Sequence, residues 1–204
     1  FDLYKDIQCR TNGEIYLGVV GPVRSGKSTF IKRFMDVLVL PKMTDEHAKE
    51  RTVDELPQSA SGKSIMTTEP KFVPKEAAEI QLAKDVSVLV RLIDCVGYMV
   101  EGAAGYMENG AERLVKTPWN EKEIPFTKAA EIGTKKVIHD HSTIGIVVTT
   151  DGSIGELPRN SYRAAEKKTI QELKSIGKPF VVLVNTRKPY SAEAKNVAEE
   201  IQKE

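Results

Sequence analysis

The chain has 204 residues, of which 40% are apolar and 29% charged, and its net charge is +1. This length accommodates one sizeable α/β domain, or one domain that carries a large insertion. The near-zero net charge gives no case for nucleic-acid binding through a basic surface. Two cysteines favour a reducing compartment, so we expect a cytoplasmic protein, and no apolar run is long enough to span a bilayer.

The two ends of the chain bear on its domain organisation. The sequence opens at Phe1 rather than at a methionine, and a helical pattern is still running when it stops at Glu204. We therefore interpret residues 1–204 as one nucleotide-binding domain of a longer protein whose remainder is absent.

The first predicted elements are a strand and a helix. The apolar, β-prone run at 15–20 ends at Gly21 and suits a buried strand. A helical pattern begins at Lys27 and stops at Pro41. Residues 42–70 are polar and poorly periodic, so we expect a long, mobile connection there.

Strands and helices alternate along the rest of the chain. The further predicted elements are strands at 79–82, 86–93, 143–150 and 180–185, and helices at 127–139, at 161–176 and from Ser191 onward. This order predicts a three-layer α/β fold with a mostly parallel central sheet covered on both faces. Residues 98–142 are predicted to form an insertion before the next core strand. Its tyrosines and methionines (Tyr98, Met99, Tyr106 and Met107) suit either a protein-contact surface or a small core of the insertion.

A phosphate-binding pattern lies between the first strand and the first helix. The sequence Gly-Pro-Val-Arg-Ser-Gly-Lys-Ser occupies residues 21–28. Its glycines let backbone N–H groups surround a phosphate, Lys27 places a cation between the β- and γ-phosphates, and Ser28 offers a hydroxyl to Mg²⁺. The predicted nucleotide-binding residues of this loop are Gly21, Pro22, Val23, Arg24, Ser25, Gly26, Lys27, Ser28 and Thr29.

Two later segments supply metal-binding and catalytic candidates. Asp94 ends an apolar strand, where P-loop proteins place the acid that holds Mg²⁺ through a water, and Gly97 completes D-x-x-G and could donate its N–H to the γ-phosphate. Thr67 and Thr68 lie where a GTPase switch presents a threonine to the metal, and which of them does so stays open. We predict Ser28, Thr68 and Asp94 as metal ligands, and Thr67, Thr68, Asp94 and Arg24 as catalytic residues.

The role of Arg24 has two interpretations. It lies in the loop where some related GTPases place an asparagine that binds potassium, so a fixed guanidinium could partly replace that cation. Alternatively, it is a surface arginine paired with a carboxylate of a neighbouring loop.

The order of these motifs resembles the translation-factor class of P-loop GTPases, which implies a GTPase-like fold. Guanine-binding members carry N-K-x-D after the penultimate core strand, and its aspartate accepts hydrogen bonds from guanine. Here Asn185-Thr186-Arg187-Lys188 stands at that place, with Asn185 predicted to bind the nucleotide. Because Lys188 cannot accept a hydrogen bond, the sequence predicts ATP rather than GTP. Tyr98 follows D-x-x-G where Ras-like enzymes carry the glutamine that orients water.

Four longer segments carry a more specific resemblance, namely residues 21–29, 65–70, 92–98 and 109–119. They are similar to the N-terminal domain of the stage IV sporulation protein A family. The resemblance implies a Mg²⁺-dependent ATPase of GTPase descent, made in the mother cell of a sporulating bacterium. It implies self-assembly on the forespore outer membrane after ATP hydrolysis, which forms the base of the spore coat. Other implied partners are a small amphipathic membrane peptide and further spore coat proteins, with membrane association through absent C-terminal parts.

Two other functions compete with this one. A GTPase-like switch would bind GTP and partner proteins without building a polymer. A small-molecule kinase would need a substrate acid or a basic clamp near the γ-phosphate, and the sequence offers no persuasive one.

Overall fold

A computed structural model describes residues 13–57, 68–83 and 86–204 of the chain. Its centre is a five-stranded sheet, accompanied by two small hairpins. The strands of the central sheet are β1 (Glu14–Val20), β2 (Lys71–Ala83), β3 (Val86–Asp94), β8 (Ile144–Thr150) and β9 (Phe180–Asn185). The hairpins are formed by β4 (Met107–Glu108) with β5 (Ala111–Glu112), and by β6 (Leu114–Thr117) with β7 (Asn120–Pro125).

The central strands lie in the order β2-β3-β1-β8-β9. All neighbouring pairs are parallel except β2 with β3, which is antiparallel. In this register Val19 lies opposite Asp94, and Thr150 lies opposite Asn185. The carboxyl ends of β1, β3, β8 and β9 therefore meet at one edge of the sheet, which is where open α/β sheets bind ligands.

Helices flank the sheet. They are α1 (Lys27–Phe34), α2 (Glu46–Glu55), α3 (Phe126–Lys136), α4 (Arg159–Ser175) and α5 (Ala192–Gln202). Two of them continue into π-helical turns, α1 through Met35–Val39 and α3 through Val137–His141. The chain is thus α/β with a mostly parallel central sheet, as the sequence predicts.

The two faces of the sheet have separate apolar cores. On one face α1 and its π-helical continuation bury Ile31, Met35 and Val39 completely, because a spacing of four residues places them on one side of the helix. They pack with alternate residues of the strands, including Ile146 and Val148 of β8. On the other face Val147 of β8 packs with apolar residues of α4 and α5. Alternating strand residues therefore serve opposite layers.

The connection between α1 and β2 differs from the prediction. The expectation of an unstructured connection is wrong for α2, which begins after Asp45; the Asp45 carboxylate accepts hydrogen bonds from the backbone N–H groups of His47 and Ala48. The strand predicted at 79–82 is also longer and begins at Lys71. Its pairing with β3 is irregular after Val73, which interrupts the alternation that sequence patterns detect.

The predicted insertion at 98–142 contains elements of two kinds. The two hairpins are additional to the central fold, whereas α3 is the crossover helix between β3 and β8. Tyr98 is buried in the core and Met99 packs against that core, while Met107 is half exposed. The aromatic and sulfur-containing residues of this segment therefore divide between core and surface.

Candidate functional site

The loop between β1 and α1 has a backbone shape that depends on glycine. Gly21 and Gly26 have φ values of +129° and +93°, which L side chains rarely adopt. A Cβ atom on Gly21 would also lie 2.4 Å from the carbonyl oxygen of Val148. The glycines predicted to open this loop for a phosphate are thus required by its conformation and by its closeness to β8.

Lys27, the first residue of α1, lies under this loop. Its side chain is almost fully buried, and its Nζ donates a hydrogen bond of 2.6 Å to the carbonyl oxygen of Pro22. Burial lowers the pKa of Lys27 from its ordinary value, and the nearby Cys95 and Asp94 act in the opposite direction. A buried ammonium group with so little compensation suits a site that receives a strongly anionic group.

Ser28 and Asp94 form the second part of the site. The Ser28 hydroxyl donates a 2.9 Å hydrogen bond to Oδ2 of Asp94. The Oδ1 atom of Asp94 is buried and has no hydrogen-bond partner among the described residues. Burial raises the pKa of Asp94, whereas Lys27 and Ser28 lower it.

These residues fit Mg²⁺ held together with phosphate oxygens. Mg²⁺ is bound by one or two carboxylates, with the rest of its shell supplied by waters and substrate phosphates. The buried, unpartnered oxygen of Asp94 beside the Ser28 hydroxyl offers that donor set. No cluster of three or more acidic, histidine or cysteine side chains occurs in the described part of the chain, so nothing there suggests an all-protein metal cage.

Gly97 lies directly against Lys27 and the phosphate-binding loop. A Cβ atom at this position would be 2.2 Å from the carbonyl oxygen of Gly21 and 2.6 Å from Lys27 Nζ. Its φ is +93°, which further requires glycine. The structure therefore brings together four of the predicted residues, which are Lys27, Ser28, Asp94 and Gly97.

Tyr98, the next residue, contributes its backbone to the loop. Its N–H donates to the Gly21 carbonyl at 3.1 Å, and its carbonyl accepts from Val23 N–H at 2.8 Å. Its side chain is buried in the core, and this burial raises the pKa of Tyr98. A phenol packed in this way does not replace a water-orienting glutamine, and the sequence offered no signal for the backbone pairing.

Arg24 points to the segment after D-x-x-G. It is a non-glycine residue at positive φ, +59°, and its guanidinium donates to the carbonyl oxygen of Ala104 at 3.3 Å. This contact joins the phosphate-binding loop to the segment after Gly97, and the carboxylate pairing that was the alternative stays a hypothesis. The catalytic role of Arg24 stays a prediction.

Only one of the two candidate threonines can be placed, because Thr67 lies outside the described residues. Thr68 is buried, just before β2. Its carbonyl oxygen lies against Gly133 of α3, so closely that a Cβ there would come within 2.5 Å of it.

Asn185, at the end of β9, contacts the phosphate-binding loop directly. Its side-chain amide donates to the Ser25 carbonyl at 3.2 Å. The following Thr186 donates its hydroxyl to Asp151 at 2.5 Å and accepts from the Lys188 N–H at 3.1 Å. Residues at and directly after the end of β9 are therefore bonded both to the loop that follows β1 and to the loop that follows β8.

Asp151, which follows β8, was missed by sequence reasoning. Burial acts to raise its pKa, but hydrogen bonds from Ser153 and Thr186 outweigh it, and the pKa of Asp151 lies below its usual range. The sequence did contain a signal for Asp151, because this aspartate directly follows a buried strand at the edge of the sheet where the other loops meet. It orders the segment that follows β9 by accepting the hydrogen bond from Thr186.

Comparison with known proteins assigns the family. The family model described as "Stage IV sporulation protein A, ATPase domain" matches residues 1–204. The chain belongs to the stage IV sporulation protein A family.

Curated members of this family are similar along the whole chain. Stage IV sporulation protein A of Clostridioides difficile (strain 630) is 57% identical over 201 residues, and that of Bacillus subtilis (strain 168) is 54% identical over 200 residues, in each case 98% of this chain. The Bacillus anthracis protein is 53% identical over 203 residues, or 100% of this chain. The chain spans 41% of the length of each of these relatives.

Family membership decides several predictions. The chain is an ATPase domain of a sporulation protein family, so the predicted enzyme class and the predicted family are confirmed. An ATPase domain takes a nucleotide as substrate. None of the described helices has the length and apolar character needed to cross a membrane.

Proposed function

We propose that this domain binds ATP together with Mg²⁺ at the carboxyl edge of the sheet and hydrolyses it, on a P-loop fold of GTPase type. The observation that carries the proposal is the convergence of Lys27, Ser28, Asp94 and Gly97 around one buried position. A buried cation, a hydroxyl and a carboxylate with an unpartnered oxygen are what a Mg²⁺-triphosphate group requires.

Each residue has a distinct role in this proposal. Backbone N–H groups of the loop at 21–26 surround the β-phosphate, and Lys27 neutralises charge on the β- and γ-phosphates. Ser28 and Asp94 hold Mg²⁺, which when bound neutralises the charge that develops on the phosphate oxygens during transfer. Gly97 donates its N–H to the γ-phosphate, and Thr68 adds a contact to the metal.

The preference for ATP over GTP rests on the segment after β9. Asn185 bonds this segment to the phosphate-binding loop, which supports a position for it beside the nucleotide. Lys188 stands where guanine-binding proteins carry an acceptor, and an ammonium group accepts no hydrogen bond. A missing bidentate contact leaves donors of guanine unpaired, which costs roughly 1–3 kcal/mol, or about tenfold to a hundredfold in affinity.

Competition between nucleotides tests this proposal. Unlabelled ATP and GTP are titrated against one fluorescent ATP analogue, and phosphate release is measured without any acceptor substrate. We expect ATP to displace the analogue at lower concentration and phosphate to be released from ATP alone. Stronger displacement by GTP would instead favour a GTPase-like switch, and phosphate release that requires an acceptor would favour a kinase.

We propose further that hydrolysis drives self-assembly of the longer protein. By family resemblance, the product is the basement layer of the spore coat on the forespore surface, with a small amphipathic membrane peptide and other coat proteins as partners. Because the relatives extend well beyond this chain, we assign membrane association to other parts of the protein. Sedimentation of the full-length protein with ATP, with a nonhydrolysable analogue and without nucleotide tests it; assembly independent of hydrolysis would contradict the proposal.

A further inference from the structure

Gly133 is a glycine in the interior of α3, and nothing about a helix requires it. Glycine disfavours the helical state relative to alanine, since it loses more backbone entropy. Gly133 is buried, lies between Ala129 and the end of the helix, and has no positive φ. The reason for a glycine at this position must therefore lie in the residues that pack against it.

The neighbour is the backbone of Thr68. A Cβ atom on Gly133 would lie 2.5 Å from the Thr68 carbonyl oxygen, a distance that real Cβ atoms essentially never show. The blocking atom belongs to the main chain, so it cannot rotate aside like the end of a long side chain. The segment that enters β2 therefore rests on the surface of α3 at the one point where a side chain is missing.

The next residue of α3, Thr134, lies near the end of β3, the strand that carries Asp94. Thr134 is fully buried, and its hydroxyl is fixed by a 2.8 Å hydrogen bond to the Ala130 carbonyl. Burial raises the pKa of the Cys95 thiol and Thr134 acts to lower it, and Cys95 directly follows Asp94. One turn of α3 thus lies against the segment that carries Thr68 and beside the end of the strand that carries Asp94.

We propose that Gly133 is a positioning residue for ATP hydrolysis, because its missing side chain sets the place of Thr68 relative to Asp94. This inference rests on the proposed function, in which Thr68 meets the metal and the γ-phosphate. Gly133 itself touches neither nucleotide nor metal. Its effect passes through the Thr68 backbone.

Replacing Gly133 by alanine tests the proposal in the full-length protein. We expect Gly133→Ala to bind a fluorescent ATP analogue within about threefold of the parent, since the phosphate-binding loop is untouched, and to release phosphate in single turnover at least about tenfold more slowly. The control is Gly155→Ala, whose Cβ would meet, among the described residues, only the Tyr162 hydroxyl at 3.6 Å. This variant should match the parent in both measurements.

A double-mutant cycle separates positioning from general damage. In a Thr68→Ala background, Gly133→Ala should slow turnover by less than about twofold, because the contact it displaces no longer acts in catalysis. Equal losses in both backgrounds, or an alanine variant that is more stable than the parent and hydrolyses ATP normally, would overturn the inference.

Hydrogen exchange of the parent protein requires no substitution, and it decides the matter if Gly133→Ala does not fold. Addition of Mg²⁺ and a nonhydrolysable ATP analogue should protect residues 68–71 and the α3 turn around Gly133 together. Protection of one segment alone would refute the link between them. A parent that neither binds nor hydrolyses ATP would overturn the proposed function itself, whereas an active parent with a normal Gly133→Ala variant refutes only this inference.

Discussion

The side-chain amide of Asn185 donates a hydrogen bond to the backbone carbonyl of Ser25, joining the end of the last sheet strand to the phosphate-binding loop. The same amide nitrogen lies where a side chain on Gly26 would have to be, 2.3 Å from a Cβ atom at that position. The loop predicted to hold phosphate and the segment predicted to meet the base are therefore in direct contact, so a change in one should affect the other.

We expect Gly26→Ala to weaken ATP-analogue binding by at least about a hundredfold, because the methyl group meets Asn185 and the backbone is strained at φ +93°. Adding Asn185→Ala should recover part of the affinity, since it removes the clash but not the strain. Gly177→Ala is the control for strain alone, because its φ is +65° and no atom of the described residues lies within 4 Å of its Cβ position. It should lower stability and leave nucleotide affinity unchanged; equal binding losses would refute the explanation.

Lys27→Met should abolish binding of ATP, since a triphosphate would lose the buried cation that faces it. The free energy of unfolding without nucleotide should change by no more than about 1 kcal/mol, because loss of the bond to Pro22 and relief of a buried charge oppose each other. Fluorescence titration and urea unfolding measure the two effects. A Lys27→Met protein with parental affinity would show that the phosphate site lies elsewhere.

Replacing both Thr67 and Thr68 by alanine should reduce single-turnover phosphate release far more than equilibrium binding. The phosphate-binding loop remains intact, while a contact to the metal and the γ-phosphate is lost. Single replacements then assign the role; we expect Thr68→Ala to account for most of the loss. Equal decreases in binding and turnover would mean that these threonines serve binding or structure only.

Arg24→Ala should slow hydrolysis more than it weakens binding, if the guanidinium leaves Ala104 to meet charge that develops during transfer. Arg24→Asn is the informative companion, because asparagine tolerates the positive φ of this position and could bind potassium. Phosphate release by Arg24→Asn should rise with potassium and not with sodium. Normal turnover of Arg24→Ala would mean that Arg24 has a structural role and no catalytic one.

A buried ion pair makes a prediction about stability. Glu166, 3% exposed, accepts bonds of 2.5 and 2.7 Å from the Arg159 guanidinium and a further bond from Thr149. Glu166→Gln should destabilise the domain by about 3–5 kcal/mol, since it leaves a buried charge unpaired. Glu166→Leu with Arg159→Met should be less harmful than the single change.

The control is the exposed ion pair between Arg163 and Glu200 on the neighbouring surface. Glu200→Gln should have a far smaller effect in the same urea unfolding experiment, because solvent screens that pair. Similar losses at both positions would refute the argument from burial.

Sequence patterns predicted the regular parts of this fold well, and physical reasons explain where they did not. The strands around Val19, Val147 and Val182 are short apolar runs, so their positions along the chain could be predicted. α2 escaped detection because it buries little more than Thr52 and lacks an apolar stripe.

In the site, local motifs predicted Lys27, Ser28, Asp94 and Gly97, because the first two open α1 and the other two belong to the D-x-x-G motif at the end of β3. Contacts between distant backbones could not be predicted this way. The close approach of the Thr68 carbonyl to Gly133 and the backbone hydrogen bond between Tyr98 and Gly21 join segments that are far apart in sequence. No local sequence pattern indicates either contact.

The outer strand β9 has a practical consequence for assembly assays. Within the described residues it pairs only with β8, and it exposes 54% of Val181 and 36% of Leu183 on one face. An open edge with apolar side chains is a template for adventitious strand addition between molecules. The domain expressed alone should therefore associate at high concentration whether or not nucleotide is present. Light scattering would register that association as polymer, so a Lys27→Met sample must be measured beside every ATP-dependent signal.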